Sequence, residues 1–240
     1  MFHVGRSGST LIGDMLDQHP QIYWSGEIYK NLLKNNYNLK TEDSRNILYY
    51  TLQHEMEKTK KNQWLGLETK FYHVRYFKED LQDYIQKIKE NGVCKFVVLE
   101  RKNYLRKIVS SIAASQSATW HQPANTKSRL TKVKINIESV RIDGRNKPLI
   151  DFLQEYESDF NTIKELIAER EAMMLTYEED VAVSPTSTCS KVLQLLDLPE
   201  HGMKTRYGKT NPFPLYEIIT NYDEVADYLS GTKFEWMLYA

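Results

Sequence analysis

The chain has 240 residues, enough for one α/β domain with a substantial core or for two small domains at most, and we expect one domain over residues 1–240. Its 32 Lys and Arg balance 32 Asp and Glu, which excludes the overall basic surface of a protein that coats nucleic acid or anionic membrane. Two cysteines, Cys94 and Cys189, are too few for a disulfide framework or a structural zinc site and fit a reducing compartment.

Hydropathy gives no membrane signal. No stretch approaches the roughly 18 to 20 apolar residues that cross a bilayer, and no basic segment followed by an apolar run stands at the N-terminus. We therefore expect a cytoplasmic protein with no transmembrane segment and no nucleic-acid partner.

Predicted strands and helices alternate in the first part of the chain. Met1–Val4 is a strand candidate, and after the turn at 5–8 apolar residues recur at helical spacing, which predicts a helix over Ser9–Gln18. Further strand candidates are Ile22–Trp24 and Leu67–His73. Further helices are predicted over Glu27–Lys34, Asp43–Lys60 and Leu81–Lys89.

The second part begins with the nearly continuous apolar run Val93–Leu99, typical of a strand in the middle of a parallel sheet. A helix with an apolar stripe follows over Lys102–Ser115. Segment 116–143 has little pattern, and we interpret it as a mobile substrate loop. The remaining predicted elements are a helix over Leu149–Ile167, a last strand at Ala172–Thr176, a helix at Lys191–Leu196 and two short helices within Pro212–Leu229.

This order of elements predicts the fold class. Strands that alternate with helices form a parallel sheet covered on both faces. We expect an α/β three-layer sandwich around a central, mainly parallel sheet, of the P-loop nucleotide-hydrolase-like type.

The turn between the first strand and the first helix has the composition of an oxyanion site. Gly5 and Gly8 permit positive φ, so that backbone N–H groups can converge, and the helix adds its positive dipole end. Arg6 supplies a cation, while Ser9 and Thr10 supply hydroxyl donors. The alternative is a plain turn in which Ser9 only caps the helix. The candidate phosphate- or sulfate-binding residues are Gly5, Arg6, Ser7, Gly8, Ser9 and Thr10.

The loop differs from a Walker A loop. That motif requires G-x-x-x-x-G-K-[ST], and here Ser9 follows the second glycine in the position of the Lys. A P-loop kinase would also need an acidic magnesium ligand at a strand end. A transition-metal site is not indicated either, because the six histidines and two cysteines do not have the spacing of metal ligands.

A second basic site is predicted near the end of the central strand. Arg101 follows that strand at the sheet edge where ligands of open α/β folds bind. Arg106 and Ser110 are four residues apart and share a helix face, so an Arg and a hydroxyl can hold a phosphate together. The alternative is that these side chains are solvated or cap the helix.

These motifs resemble those of a known family. The string from Phe2 to Leu11, with Asp14, His19-Pro20 and Ser25-Gly26-Glu27, is similar to the 5′-phosphosulfate-binding loop and following segment of sulfotransferases. It is most similar to bacterial carbohydrate sulfotransferases of the trehalose and Nod-factor type. Tracts 67–72 and 175–180 are similar to two further family segments, so the resemblance covers most of the chain except 116–143.

The resemblance implies a reaction and its substrates. The donor would be 3′-phosphoadenosine 5′-phosphosulfate, the product 3′-phosphoadenosine 5′-phosphate, and the acceptor a hydroxyl of a carbohydrate or glycolipid, with no metal. Glu27 would be the general base; the alternative is that it stabilises the following helix through the helix dipole. His73 and His121 are rival bases, because other sulfotransferases use histidine.

The resemblance also assigns the 3′-phosphate to Arg101 and Ser110, and Lys209 lies in a tract, 206–211, that resembles a loop closing over the nucleotide. There are two departures: Arg6 stands where cytosolic sulfotransferases carry a Lys, and the interval from Arg101 to Ser110 is one residue longer, which leaves Arg106 and Ser111 open. For Lys209 a solvated loop is an equal alternative. The alternative functions are a P-loop-type small-molecule kinase and a non-catalytic nucleotide-binding relative.

Overall fold

A computed structural model of the chain describes residues 1–34, 43–167 and 171–240. The described strands are β1 (Phe2–His3), β2 (Ile22–Gly26), β3 (Trp64–Leu67), β4 (Thr69–Lys70), β5 (Phe96–Glu100), β6 (Gln122–Pro123), β7 (Val140–Ile142), β8 (Arg145–Lys147), β9 (Ala172–Thr176) and β10 (Tyr207–Gly208). The helices are α1 (Ser9–Leu16), α2 (Lys30–Lys34), α3 (Asp43–Lys58), α4 (Phe71–Tyr76), α5 (Leu81–Glu90), α6 (Tyr104–Ser117), α7 (Leu149–Leu166), α8 (Pro185–Leu195), α9 (Leu215–Ile218) and α10 (Tyr222–Leu229). A π-helical turn, Tyr177–Val181, follows β9, and a 3-10 turn covers Glu235–Leu238.

The chain divides into two compact units. The first comprises Met1–Glu100 and Thr162–Lys204, and the second comprises Arg101–Asn161 and Thr205–Ala240. The expectation of one domain over residues 1–240 stays a prediction.

The first unit contains a parallel sheet in the order β4-β1-β5-β9, with helices on both faces. On one face, Val97 and Leu99 of β5 pack in a buried cluster with residues of α1 and α8. On the other face, the ring of Phe2 lies 6.0 Å from Phe71 of α4 and 6.2 Å from Tyr84 of α5. The alternation of side chains along the strands therefore builds the three layers, and the predicted α/β class is confirmed.

A separate parallel pair, β2 and β3, carries a tryptophan that organises the loop region. A Cβ at Gly66 would lie 2.0 Å from the indole of Trp24, and one at Gly13 would lie 2.2 Å from it. Because both positions lack a Cβ, the indole fits between β3 and α1. Its Nε1 can then reach Glu68 at 3.0 Å.

The second unit is built around α6 and the part of α7 up to Asn161. Asn103 caps α6 by accepting a hydrogen bond from Arg106 N at 2.8 Å, and its Nδ2 donates to Met237 O at 2.8 Å. Lys107, which is 1% exposed, donates to Tyr156 Oη at 2.7 Å. The buried ammonium thus has an acceptor, as buried charged groups require.

Segment 116–143 has more structure than its composition indicates. β6 pairs with β10, and β7 pairs with β8 across Asp143 and Gly144, which have φ of 52° and 75°. An Asp-Gly pair with positive φ at both positions is a strong hairpin signal, and this hairpin was not identified from the sequence. Its role as a mobile substrate loop stays a prediction.

Most predicted elements agree with the structure within a few residues, and β9 has the predicted bounds. The strand candidate Leu67–His73 is wrong in its second half, because the chain turns into α4 at Phe71. The backbone N–H of Lys70 donates to His73 Nδ1 at 3.2 Å, which stabilises this helix start. The helix predicted over Glu27–Lys34 begins only at Lys30, so Glu27 precedes it. Of the described helices, none is long and apolar enough to cross a membrane.

We predict that Gly66→Ala destabilises the first unit. The added methyl would meet the Trp24 indole, and overpacking of this kind costs about 1 to 3 kcal/mol of unfolding free energy. Urea unfolding followed by circular dichroism measures the change. Gly202→Ala is the matched control, since a Cβ there has no neighbour within 4 Å; equal stability of the two variants would contradict the prediction.

Candidate functional site

The loop between β1 and α1 has the backbone of an anion-binding turn. Gly5, Arg6 and Gly8 have φ of 77°, 56° and 87°. Left-handed residues at a turn direct successive N–H groups into one concavity. Gly8 also has no room for a side chain, because a Cβ there would lie 2.8 Å from Val181 Cγ1.

The start of α1 carries no side-chain cap. Gly8 is the N-cap, and as a glycine it has no side chain that could accept a hydrogen bond from the first turn. The alternative interpretation of Ser9 as N-cap is therefore wrong, because Ser9 is the first helical residue and its hydroxyl bonds to Glu68 instead. The positive end of the helix dipole and its backbone N–H groups remain available to an anion.

A buried carboxylate lies beneath this loop. Glu68 is 4% exposed and accepts hydrogen bonds from Trp24 Nε1 at 3.0 Å and from the Ser9 hydroxyl, while His3 Nε2 lies 3.0 Å from its Oε2. Burial by itself would raise the pKa of Glu68, but the bonds from His3, Trp24 and Ser9 outweigh it and lower that pKa to about 2. Glu68 is thus an ionised carboxylate that joins β1, β2 and α1.

His3 connects Glu68 to the backbone of the loop. Its Nδ1 accepts a hydrogen bond from the N–H of Gly5 at 3.0 Å. The other ring nitrogen, Nε2, faces Glu68. The position of Gly5 is therefore set by a residue on the strand and not by the loop alone.

Ser7 is a polar group that the described residues leave without a partner. It is 0% exposed, and its Oγ makes no hydrogen bond to them. Buried hydroxyls are normally paired, and an unpaired one needs an explanation. A ligand oxygen bound at the loop would supply that partner.

Glu27 and Lys70 form an ion pair beside the loop. Lys70 Nζ lies 2.6 Å from Glu27 Oε2, and both side chains are partly exposed, at 16% and 22%. A Cβ at Gly5 would lie 3.3 Å from Lys70 Cε, so the Lys70 side chain runs along the loop. The structure thus places Glu27 next to the predicted oxyanion loop with a cation between them.

His73 is poorly placed to act as the base. It is 0% exposed, and its Nδ1 accepts from Lys70 N, so its proton is on Nε2, 3.9 Å from Glu27 Oε2. Burial, with the positive charge of Lys70, holds the pKa of His73 well below its usual range. Neither nitrogen has a free lone pair, and these contacts favour Glu27 over His73.

The remaining predicted residues belong to the second unit. Arg101 directly follows β5 and is half-buried, while Ser110 lies on α6 and lines a cavity that Ser111 does not. Arg106 donates through Nε to Ala240 O at 3.1 Å and through a terminal nitrogen to Phe213 O at 3.0 Å.

Two other predicted residues also lie in the second unit. Lys209 has an exposed side chain, and its carbonyl accepts from Ser128 Oγ at 2.8 Å. His121 is exposed, and its ring lies 5.7 Å from that of Tyr207.

Sequence reasoning assigned no role to Lys70, Glu68 or His3. Glu68 and Lys70 lie in the 67–72 tract, and His3 lies in the N-terminal string, so the signal was present in the motifs. The contacts depend on the parallel pairing of β1 with β4, which joins His3 to Lys70 in register. Among the described residues, no group of three or more His, Cys, Asp or Glu side chains is arranged to hold a metal ion.

Comparison with known proteins gives a likeness in structure and none in sequence. No protein-family model matches the chain, and no curated protein matches it significantly. The structure is similar to the crystal structure of a sulfotransferase from Alicyclobacillus acidocaldarius, with a TM-score of 0.55 and 12% identity, over 99% of this chain and 94% of that one. The chain therefore has a sulfotransferase-like fold, as expected, and an identity this low shows the fold alone.

We predict that Glu68→Gln destabilises the protein in a pH-dependent way. The folded pKa of Glu68 lies near 2, below the ordinary 4.5, so the carboxylate stabilises the fold above about pH 4.5 and loses this effect as the pH falls toward 2. At pH 7 the variant should lose about 2 kcal/mol of unfolding free energy, and the difference should shrink at pH 3. Urea unfolding at both values measures it.

Glu57→Gln serves as the control, because the Glu57 side chain is 79% exposed. It should change stability at neither pH. A Glu68→Gln deficit that stays the same from pH 7 to pH 3 would show that the charge of Glu68 does not stabilise the fold.

Proposed function

We propose that this protein is a sulfotransferase that moves a sulfuryl group from 3′-phosphoadenosine 5′-phosphosulfate to a hydroxyl group. One observation carries the proposal: the Lys70 ammonium lies 2.6 Å from the Glu27 carboxylate, and its side chain runs along the oxyanion loop. The Lys70 cation, the proposed base Glu27 and the oxyanion loop thus lie close together at the carboxyl edge of a parallel sheet, where ligands of such folds bind. The sulfotransferase-like fold supports the same reaction.

The loop suits the 5′-phosphosulfate of the donor. The uncapped start of α1 offers backbone N–H groups, Arg6 offers a guanidinium, and the buried Ser7 hydroxyl offers a donor without a partner among the described residues. Ser9 turns toward Glu68, so its proposed part is the backbone N–H, and Thr10 follows on the same helical turn. In this proposal Arg101 and Ser110 hold the 3′-phosphate, and Lys209 covers the nucleotide.

The chemistry needs one proton acceptor and several cations. Glu27 takes the proton of the acceptor hydroxyl while the oxygen of that hydroxyl forms a bond to sulfur. The bond from sulfur to the bridging oxygen breaks, and 3′-phosphoadenosine 5′-phosphate leaves with the negative charge. Lys70 and Arg6 stabilise that charge. As in phosphoryl transfer, no covalent enzyme intermediate is required.

We infer that the acceptor is a carbohydrate or glycolipid. This rests on the likeness of the N-terminal string to bacterial carbohydrate sulfotransferases. Labelled donor incubated with sugar, lipid and phenol acceptors tests it directly. Robust turnover of magnesium-ATP, with none of phosphosulfate, would support the small-molecule kinase instead, and nucleotide binding without transfer to any acceptor would support the non-catalytic relative.

Glu27→Gln should lower kcat about 10²- to 10⁴-fold, because the amide cannot take the proton. Affinity for 3′-phosphoadenosine 5′-phosphate, measured by calorimetry, should change by no more than about threefold, since the step lost occurs only in the transition state. Glu57→Gln is the control for the loss of one carboxylate. A kcat within about twofold of wild type in Glu27→Gln would remove Glu27 from the mechanism.

Arg101→Ala should reduce the preference for 3′-phosphoadenosine 5′-phosphate over adenosine 5′-monophosphate by about tenfold or more, because the two differ only in the 3′-phosphate. Ser110→Ala should reduce it less, and Ser111→Ala should leave it unchanged. Calorimetric titration of both nucleotides measures the ratio. If only Ser111→Ala lowers it, the second phosphate site is misplaced.

A further inference from the structure

The second unit contains a cavity of about 640 Å³. One wall is a single face of α6, formed by Ser110, Ala113, Ala114 and Ser117, which stand at positions i, i+3, i+4 and i+7 of the helix. The other walls come from segment 119–132 and from Thr210 and Asn211. The volume lies within the range of about 300 to 1,000 Å³ that is usual for small-molecule sites.

The charge of this cavity is one-sided. Lys127, Arg129 and Lys132 line it, and no Asp or Glu does. Within the described part of the chain, none of these three side chains makes an ion pair or a hydrogen bond. Some exposed lysines outside the cavity do pair with acids, as Lys191 does with Asp180 at 2.6 Å. In a chain with no net charge, three unpaired cations around one acid-free cavity favour an anionic ligand.

The neutral lining of the cavity is rich in hydroxyl groups. Ser110 and Ser117 on α6 face it, and it is completed by four threonines, namely Thr119, Thr126, Thr131 and Thr210. Hydroxyl groups donate and accept hydrogen bonds, as the hydroxyls of a sugar do. His121 carries the only aromatic ring among the residues that line the cavity, so no Phe, Tyr or Trp ring is present for an adenine base to stack on.

The backbone that carries the cations is held in place. Asn211 Nδ2 donates to Thr131 O at 3.1 Å, and Gln122 Nε2 donates to Thr126 O at 2.7 Å. The pairing of β6 with β10 ties the same segment to the C-terminal tract. Because these bonds exist without a ligand, less conformational freedom is lost when one binds.

We propose that this cavity binds a carbohydrate that bears a negative charge, a carboxylate, sulfate or phosphate, through Lys127, Arg129 and Lys132. The proposal deepens the proposed function, because the bound sugar would be the acceptor of the sulfuryl group. Only this role of the sugar as acceptor rests on the proposed function. The 3′-phosphate of the donor is the other source of the same anion chemistry, since Ser110 lines the cavity. Arg101, which in the proposed function holds the 3′-phosphate, does not line the cavity.

The test is a titration of the full chain, without donor, with glucose, glucuronate, glucose 6-phosphate and inorganic phosphate, followed by NMR chemical shifts. Glucuronate and glucose 6-phosphate should bind roughly tenfold more tightly than glucose, and the difference should shrink as salt is added. Glucose 6-phosphate should also bind more tightly than inorganic phosphate, because the hydroxyl lining recognises the ring.

The variant Lys127→Gln, Arg129→Gln, Lys132→Gln should lose the preference for the charged sugars and keep its affinity for 3′-phosphoadenosine 5′-phosphate. All three changes are at exposed positions, so the fold should persist. Lys134→Gln is the matched control, because Lys134 is exposed in the same segment but does not line the cavity.

Three results would overturn the proposal. The first is equal affinity of the wild type for glucose and for the charged sugars, or for glucose 6-phosphate and inorganic phosphate. The second is an anion preference that survives the triple change. The third is a triple variant that loses the nucleotide, which would assign the cations to the donor. Charged sugars that bind but are never sulfated would support the site and contradict the proposed reaction.

Discussion

The Glu68 carboxylate is the interaction on which the rest of the first unit depends. It is buried, and it stays ionised because His3, Trp24 and Ser9 each bond to it. Those three residues come from β1, β2 and α1, so one charge fixes two strands and the helix that follows the loop. Removing one partner of a buried, hydrogen-bonded charge leaves the other uncompensated, which is why such a group tolerates little change. The loop that we propose binds the donor rests on this group, since His3 also holds the N–H of Gly5.

Three basic or acidic side chains share the carboxyl edge of the sheet, and their surroundings give them different roles. His73 is fully buried, and its accepting nitrogen is occupied, so it supports the start of α4. Glu27 and Lys70 are partly exposed and pair with each other beside the loop. The partly exposed pair can meet a substrate, and the buried imidazole cannot. In the proposed reaction the pair therefore supplies the base and a cation, while His73 keeps Lys70 in position through the backbone.

The second unit contains one buried cation and a group of exposed cations around a cavity. Its buried cation, Lys107, has the hydroxyl of Tyr156 as an acceptor, whereas Lys127, Arg129 and Lys132 are exposed around a cavity without acids. An exposed cation costs little when unpaired, because water solvates it, so these three side chains stay ready for an anion. The chain has no net charge, and its capacity to attract anionic substrates is therefore local. This is consistent with the small acidic ligand that we propose for the cavity.

Much of this was readable in the sequence, where the cause is local. Short-range periodicity predicted the bounds of β9. Gly5 and Gly8 predicted the turn from β1 into α1, because glycine easily adopts the positive φ that this turn has. The Asp143-Gly144 hairpin is local as well, and an unpatterned flanking segment hid it. The roles of Lys70, Glu68 and His3 are not local. Residues 3 and 70 meet because β1 and β4 pair in parallel, and periodicity shows that a strand exists without showing its partner. The sequence by itself determined that a glycine-containing turn joins the first strand to the first helix. Only the tertiary structure decided which carboxylate lies buried beneath the loop and which lies beside it, because burial and pairing depend on residues distant in sequence.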